Sequence, residues 1–192
     1  MSVSAMRSFD PRRVGELEFR TWVTYYRRQW WPFLRAAVAV VRHAFGLPWP
    51  ATLRGAWLVL RANRLWAPDD HDEDAVRRRM RGFYALVARH HGERFDVERA
   101  AWLEVEWWRA HREVQHGRDG EPALVEALVA LYAHVYDVAP ADVRLAAEQR
   151  ALAMRHSDSW VAAGLPDAGP LLDEERAALV RSYAALLAAV HR

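Results

Sequence analysis

The chain has 192 residues, of which 52% are hydrophobic and 27% are charged, and its formal net charge at neutral pH is +2. This length and composition fit one soluble globular domain with a sizeable core and exclude an extensively disordered chain. Because there is no cysteine, disulfides, thiolate metal sites and cysteine nucleophiles are also excluded. Residues 1–13 contain no apolar signal core, and the longest apolar run, 33–47, is too short to span a bilayer. We therefore expect a cytoplasmic location.

The apolar periodicity is helical along the whole chain and predicts an all-α fold. Asp10-Pro11 predicts the start of a first helix that kinks or restarts at Pro32 and ends at Gly46. Asp72 and Asp96 are the expected N-caps of later helices. These are predicted over the approximate ranges 50–66, 73–91, 96–116, 122–136, 139–164 and 173–192. The prediction is one domain, residues 1–192, folded as a bundle of about seven helices, with a flexible segment at 1–9.

Two segments within residues 69–192 resemble each other, and each would form an antiparallel helix pair. Residues 83–87 read FYALV and residues 131–135 read LYAHV. Each is followed by an Asp-Val pair and, after two further residues, by an Ala-Ala pair. We weigh a duplicated helical hairpin against chance similarity between alanine-rich helices.

Residues 10–68 form a front that is rich in arginine and tryptophan. Between Phe19 and Pro68 there is no Asp or Glu, but there are eight arginines and six tryptophans: Arg20, Arg27, Arg28, Arg35, Arg42, Arg54, Arg61, Arg64, Trp22, Trp30, Trp31, Trp49, Trp57 and Trp66. Several arginines recur at seven-residue spacing, which places them in stripes along helices. We expect these stripes to pair inward with acids or to meet a protein partner or a second copy of the chain, ahead of an anionic membrane surface. We do not expect nucleic acid, because the overall charge is near neutral and no binding module occurs.

The helix predicted after Asp96 carries polar groups in its apolar face. Glu104, His111 and Gln115 fall within an arc of small, aliphatic and aromatic residues. A carboxylate and an imidazole in an apolar wall have perturbed pKa values, which catalytic sites often use. The alternatives are a structural ion pair and a hydrogen-bonded core histidine.

Glu104 and His111 lie about 10 Å apart along their helix, a span that suits two metal ions better than one. We predict Glu104, His111, Glu18 and His156 as ligands of a transition metal, iron or manganese, with Glu16 and Glu148 as further candidates. The spacing of Glu104 and His111 is similar to that in one helix of the haem-oxygenase-like di-iron oxidases. The resemblance covers two residues, and the later His and Asp cluster of that family is not matched, since residues 154–158, MRHSD, have a different spacing.

Two classes of function remain open from the sequence. The first is a metal-dependent, non-haem oxidoreductase-like enzyme centred on Glu104 and His111. The second is a non-catalytic binding or scaffold protein that uses the arginine- and tryptophan-rich front for a partner chain, for self-association or for an anionic membrane.

Overall fold

A computed structural model of the chain describes residues 4–117 and 120–191. The described residues form eight α-helices, preceded by a short 3-10 helix at Ala5–Arg7: α1 Pro11–Tyr26, α2 Trp30–Phe45, α3 Trp49–Trp66, α4 Glu73–His91, α5 Val97–Gln115, α6 Glu121–Tyr136, α7 Pro140–Ala162 and α8 Pro170–Val190. The predicted all-α bundle is confirmed, with eight α-helices in place of about seven.

Capping residues set several helix boundaries where the sequence predicts them. Asp10, Asp72 and Asp96 precede α1, α4 and α5, and their carboxylates accept hydrogen bonds from backbone N–H groups of the first turn. Gly46 and Gly92 end α2 and α4 with φ angles of 58° and 67°, which only glycine adopts without strain. Short-range sequence signals therefore determine these ends.

The helix predicted from Asp10 to Gly46 restarts, one of the two predicted outcomes, a few residues before Pro32, and the chain forms α1 and α2. The break lies at residues 27–29, where Arg28 adopts a left-handed conformation with φ of 57°. Pro32 lies in the first turn of α2, where its missing N–H removes no helical hydrogen bond. The proline therefore fits α2 without a kink, and α2 packs back along α1.

Residues 4–9 are packed against the bundle, so the expected flexible start is wrong for them; residues 1–3 lie outside the described residues. Met6 is fully buried and Phe9 is 5% exposed. Arg7 donates two hydrogen bonds to Glu93, at 2.9 and 3.1 Å. An apolar anchor and an ion pair together hold this segment to the end of α4.

The last helix begins one turn before the predicted Asp173. Gly169 precedes it with φ of 149°, and Pro170 takes the first helical position. Asp173 lies in the first turn, where its negative charge is favourable near the helix N-terminus.

The helices pack mainly against their neighbours in the chain, and α1 closes a ring by packing against α8. The contact between α1 and α8 is close because Gly15 faces the backbone of Val180. A Cβ atom at Gly15 would come within 2.9 Å of the Val180 Cα. This ring arrangement leaves inward-facing surfaces of several helices directed at a common centre.

The two similar segments occupy equivalent places in the core. The pairs α4–α5 and α6–α7 each pack together, and corresponding positions are buried alike: Phe83 and Leu131, Tyr84 and Tyr132, Val87 and Val135, Ala100 and Ala146, Ala101 and Ala147. The two segments therefore bury the same positions of their shared sequence pattern.

The arginines of residues 10–68 mostly face outward, so the expected inward pairing is wrong for them. Exposed side chains without an acidic partner among the described residues are Arg13, Arg20, Arg28, Arg35, Arg54 and Arg64. Arg42 and Arg61 lie on the rings of Trp49 and Trp57, at 4.4 and 5.8 Å. Arg27 is different, because it pairs with Asp167 at 3.4 Å. In the described part of the chain, no helix combines the length and apolar character needed to cross a membrane.

Candidate functional site

A cavity of about 710 Å³ lies between α1, α2, α3, α5 and α7. This volume falls within the range of small-molecule binding sites. Aromatic side chains make up much of the wall: Trp22, Tyr25, Tyr26, Trp30, Phe33, Trp107 and Trp108. A smaller set of polar groups interrupts it: Glu18, Thr21, Asn63, Arg64, Glu104, His111, Arg150 and Ser157. Apolar walls with a few polar groups are the usual composition of a ligand pocket.

Short side chains on α2 and α3 create the empty volume. The inward faces of these helices present mainly alanine and valine to the cavity: Ala37, Val40, Val41, Ala56 and Val59. Such side chains do not reach the large aromatic residues of α1 and α5 across the ring. Protein interiors are otherwise packed to crystal-like density, so a gap of this size marks a candidate site.

A buried ion pair forms one side of the cavity. Arg150 of α7 donates two hydrogen bonds to Glu18 of α1, at 2.9 and 2.5 Å, and the Tyr183 hydroxyl donates to Glu18 at 2.6 Å. Burial alone lowers the pKa of Arg150, but the negative charge of Glu18 outweighs it and the pKa lies above its usual value. The guanidinium is therefore a permanent cation whose charge Glu18 neutralises.

Aromatic rings enclose the same guanidinium. Arg150 lies 5.9 Å from the ring centre of Trp22 and 5.5 Å from that of Trp107. Cation–π contacts are stronger when the cation is shielded from water, as this one is. Arg150 is thus fixed in position by Glu18 and the two indole rings.

Glu104 is the second carboxyl group in the wall. It accepts a hydrogen bond from the Tyr84 hydroxyl at 2.7 Å and one from the Trp108 indole N–H at 3.1 Å. Burial raises its pKa above the ordinary value, although the Tyr84 hydrogen bond and the positive charge of Arg150 act in the opposite direction. A carboxylate has about four lone-pair positions, so two remain for a molecule in the cavity.

His111 lies two turns further along α5 and also lines the cavity. Its Nε2 is 3.0 Å from Asp158, whose other oxygen accepts from the Gln115 amide at 2.8 Å. Burial, followed by the charge of Asp158, raises the pKa of the neighbouring Tyr26 to about 12. With Nε2 engaged by Asp158, Nδ1 of His111 has no partner among the described residues. A carboxyl group and an imidazole in one cavity are able to exchange protons with a bound molecule.

The mouth of the cavity lies where α1 ends, α2 begins and α3 ends. Tyr25, Trp30 and Phe33 form an aromatic cluster there, with ring centres 5.6–6.3 Å apart. Tyr25 is 45% exposed and Trp30 is 56% exposed, although both also line the cavity. Asn63 and Arg64 form the opposite rim. The entrance is therefore mainly aromatic, with one cation beside it.

A third carboxyl group, Glu175 of α8, lies near the cavity wall. Glu175 is fully buried, and neither of its oxygens has a hydrogen-bond partner among the described residues. Burial raises its pKa to about 8, with smaller contributions from the charges of Glu18 and Asp158. Ser157 lies close enough to offset part of this rise, but its hydroxyl does not reach hydrogen-bonding geometry with Glu175.

The four predicted metal ligands are not gathered into one site. Glu18, Glu104 and His111 line the cavity, whereas His156 is half-buried on α7 and lies outside its wall. Over residues 4–117 and 120–191, no three His, Asp or Glu side chains are arranged to hold a metal ion. Of the further candidates, Glu16 pairs with Arg12 and Arg176. The donor set therefore does not fit a metal centre, and the metal stays a prediction.

The sequence reasoning missed Arg150 and the tyrosines that complete the polar contacts, Tyr84 and Tyr183. Arg150 lies within the buried stripe of α7 formed by Val143, Ala146, Ala147, Met154 and Ser157. This is the same signal, a charged residue within an apolar arc, that singled out Glu104 on α5. Compared with known protein families, curated proteins and solved structures, the chain shows no significant match.

Proposed function

We propose that this protein binds a lipophilic small molecule in the cavity, and that Glu104 receives a cationic or hydrogen-bond-donating group of that molecule. The observation that carries the proposal is the pairing of an aromatic-walled cavity of about 710 Å³ with a carboxyl group that has spare acceptor positions. Small-molecule binding in the cavity is neither of the two function classes that the sequence leaves open, although like the second of them it is non-catalytic.

The balance of charges in the wall supports a cationic group. Glu18 and Arg150 neutralise each other through their two hydrogen bonds. Among the described residues Glu104 has no ion-pair partner: Arg150 acts on it only through space, and Arg64 lies at the rim, so the negative charge of an ionised Glu104 is unpaired beside Trp107 and Trp108. An ammonium group would neutralise that charge, and the faces of the two indole rings would attract it further.

Two small aromatic probes of opposite charge test the proposal. Naphthylmethylamine and naphthoate share a ring that matches the aromatic walls, but the first is a cation and the second an anion. We expect titration calorimetry to detect binding of the amine and at least tenfold weaker binding of the carboxylate. Absence of binding by both probes would contradict the proposal, and tighter binding of naphthoate would contradict the assigned role of Glu104.

A cavity-filling variant locates the binding. Ala37→Phe places a ring into the space between α2 and α5 without removing a contact, and we expect it to abolish binding of naphthylmethylamine. Ala123→Phe is the matched control, because Ala123 is exposed on α6 and does not line the cavity. Equal loss of binding in both variants would mean that the probe binds elsewhere.

A metal-dependent oxidoreductase stays the other prediction from the sequence. Three of its four predicted ligands, Glu18, Glu104 and His111, already have protein partners, which is why we rank it second. Metal analysis of the purified protein, with melting temperature measured after added iron or manganese, tests it directly. Bound metal that depends on Glu104 and His111 would reverse the ranking.

A further inference from the structure

An exposed apolar surface runs along α2 and α3. Nine large hydrophobic side chains are exposed in the described part of the chain, and seven of them lie between residues 25 and 57. The six on α2 and α3 are Trp30 (56%), Trp31 (70%), Leu34 (38%), Trp49 (57%), Leu53 (56%) and Trp57 (57%). Apolar side chains grouped in this way on a surface mark a site of interaction with another molecule.

Arginines are interleaved with these side chains, and acids are absent. Arg35 and Arg54 are exposed without an acidic partner among the described residues, and Arg61 lies on the ring of Trp57. Residues 20–67 contain no Asp or Glu, so α2 and α3 supply no carboxylate to offset them. We call this surface the α2–α3 face: Trp30, Trp31, Leu34, Arg35, Trp49, Leu53, Arg54, Trp57 and Arg61.

We propose that the α2–α3 face docks this protein onto the surface of a membrane that contains anionic phospholipid. Tryptophan favours the boundary between headgroups and acyl chains, and arginine holds anionic headgroups while its stem packs among apolar groups. A basic, aromatic and leucine-bearing face on a helix is the pattern of a helix that lies in the interfacial plane. None of the described helices is able to cross the bilayer, so the contact is with the surface only.

Charge argues against a second copy of the chain as the occupant. A symmetric dimer would place the α2–α3 face against itself. Arg35, Arg54 and Arg61 would then face arginines with no carboxylate from either α2 or α3 to separate them. Like charges in such a contact are repulsive, whereas phosphate groups of anionic lipids are complementary.

Vesicle flotation tests the docking directly on the full chain without any cavity ligand. We expect the protein to float with vesicles of phosphatidylcholine that contain about one third phosphatidylglycerol, and to bind pure phosphatidylcholine at least tenfold less. Binding to the anionic vesicles falls as salt is raised, because the arginine contribution is screened. Failure to float with the anionic vesicles would overturn the proposal whatever the outcome of the cavity experiments.

A matched pair of double variants locates the membrane contact. Trp57→Ser with Arg61→Gln removes a tryptophan–arginine pair from the α2–α3 face, and we expect at least a tenfold loss of vesicle binding, since one arginine alone contributes about fivefold. Arg99→Gln with Trp102→Ser is the control, because these residues form the same kind of pair, at 4.4 Å, on α5. Equal losses in both variants would overturn the assignment of the face.

Self-association is measured on the same proteins. Sedimentation could show that wild type and the Arg99/Trp102 control are dimers and that the Trp57/Arg61 variant is a monomer. That result would assign the α2–α3 face to a second copy of the chain and overturn the membrane proposal. A wild-type monomer that floats supports it.

Discussion

Arg150 of α7 holds Glu18 of α1 through two hydrogen bonds while its guanidinium lies between the rings of Trp22 and Trp107. The side chains of both charged residues are close to 10% exposed, at 12% and 9%. Each charge therefore depends on the other for the solvation that water would supply to an exposed group. The pair joins the first helix to the seventh across the wall of the cavity.

Breaking this pair from either side should be strongly destabilising. We expect Arg150→Met and Glu18→Leu each to lower the free energy of unfolding by about 3–5 kcal/mol, because each leaves an unpaired buried charge. The double variant should lose less free energy of unfolding than the two single variants together, since neither buried charge then remains. Urea denaturation of the four proteins measures the coupling, and strict additivity would show that the pair does not act as a unit.

Glu175 should make the protein less stable as the pH rises. Its pKa is about 8 in the fold against an ordinary value of 4.5, so the folded chain binds the extra proton between these values. Stability from this group is therefore largest below 4.5 and falls toward 8, by up to about 1.4 kcal/mol per pH unit. Glu175→Gln removes the titration, and its stability relative to wild type should increase across this range. Denaturation of wild type and Glu175→Gln at both ends of this pH range measures the effect. If their free energies of unfolding differ by the same amount at both ends, the burial argument is contradicted.

Glu104 should make amine binding depend on pH. Because burial raises the pKa of Glu104, a fraction of the protein molecules still carries a neutral carboxyl group at pH values where an exposed glutamate is ionised. An ammonium group binds preferentially to the ionised form. The affinity for naphthylmethylamine should rise with pH, by at most about tenfold per unit, while the amine itself stays protonated. Glu104→Gln keeps partners for Tyr84 and Trp108, so it should flatten the profile without unfolding the protein. If the affinity depends on pH in the same way in wild type and in Glu104→Gln, Glu104 does not take part in amine binding.

Gly15→Ala should destabilise the contact between α1 and α8. A Cβ atom at this position meets the Val180 backbone at 2.9 Å, and backbone is not free to move aside as a side chain is. The strain should exceed the gain in helix propensity of about 1 kcal/mol. Gly82→Ala in α4 is the control, because its Cβ would meet only Leu58 methyl groups at 3.5 and 3.6 Å. We expect Gly82→Ala to raise the melting temperature and Gly15→Ala to lower it.

Local features of the fold could be predicted from the sequence because they depend on a few adjacent residues. The caps at Asp10, Asp72 and Asp96 and the stop at Gly46 are of this kind. The inward placement of Glu104 and His111 followed from the helical period of α5. A kink or restart at Pro32 is predicted from the proline itself, but the position of the break at residues 27–29 is not, because it depends on α2 packing back along α1.

The partners of the site residues depend on contacts between distant segments, and these were harder to predict. The arginine stripes of residues 10–68 are expected to pair inward with acids or to meet a partner, but Glu104 is held by Tyr84 and Trp108 instead. The buried pair has the opposite arrangement, with the acid, Glu18, from the front and the arginine, Arg150, from α7. An empty cavity gives no direct sequence signal, since alanine and valine on α2 and α3 are equally suited to close packing.

The ring of helices has a consequence for how the chain folds. Most helices pack against the helix next to them in sequence, so their contacts close short loops and form early. The contact between α1 and α8 is the exception, because it closes a loop of nearly the whole chain and carries the largest loss of loop entropy. Before this closure the cavity has no complete wall and Arg150 lacks Glu18. The contact between α1 and α8 therefore completes both the wall of the cavity and the surroundings of the buried ion pair.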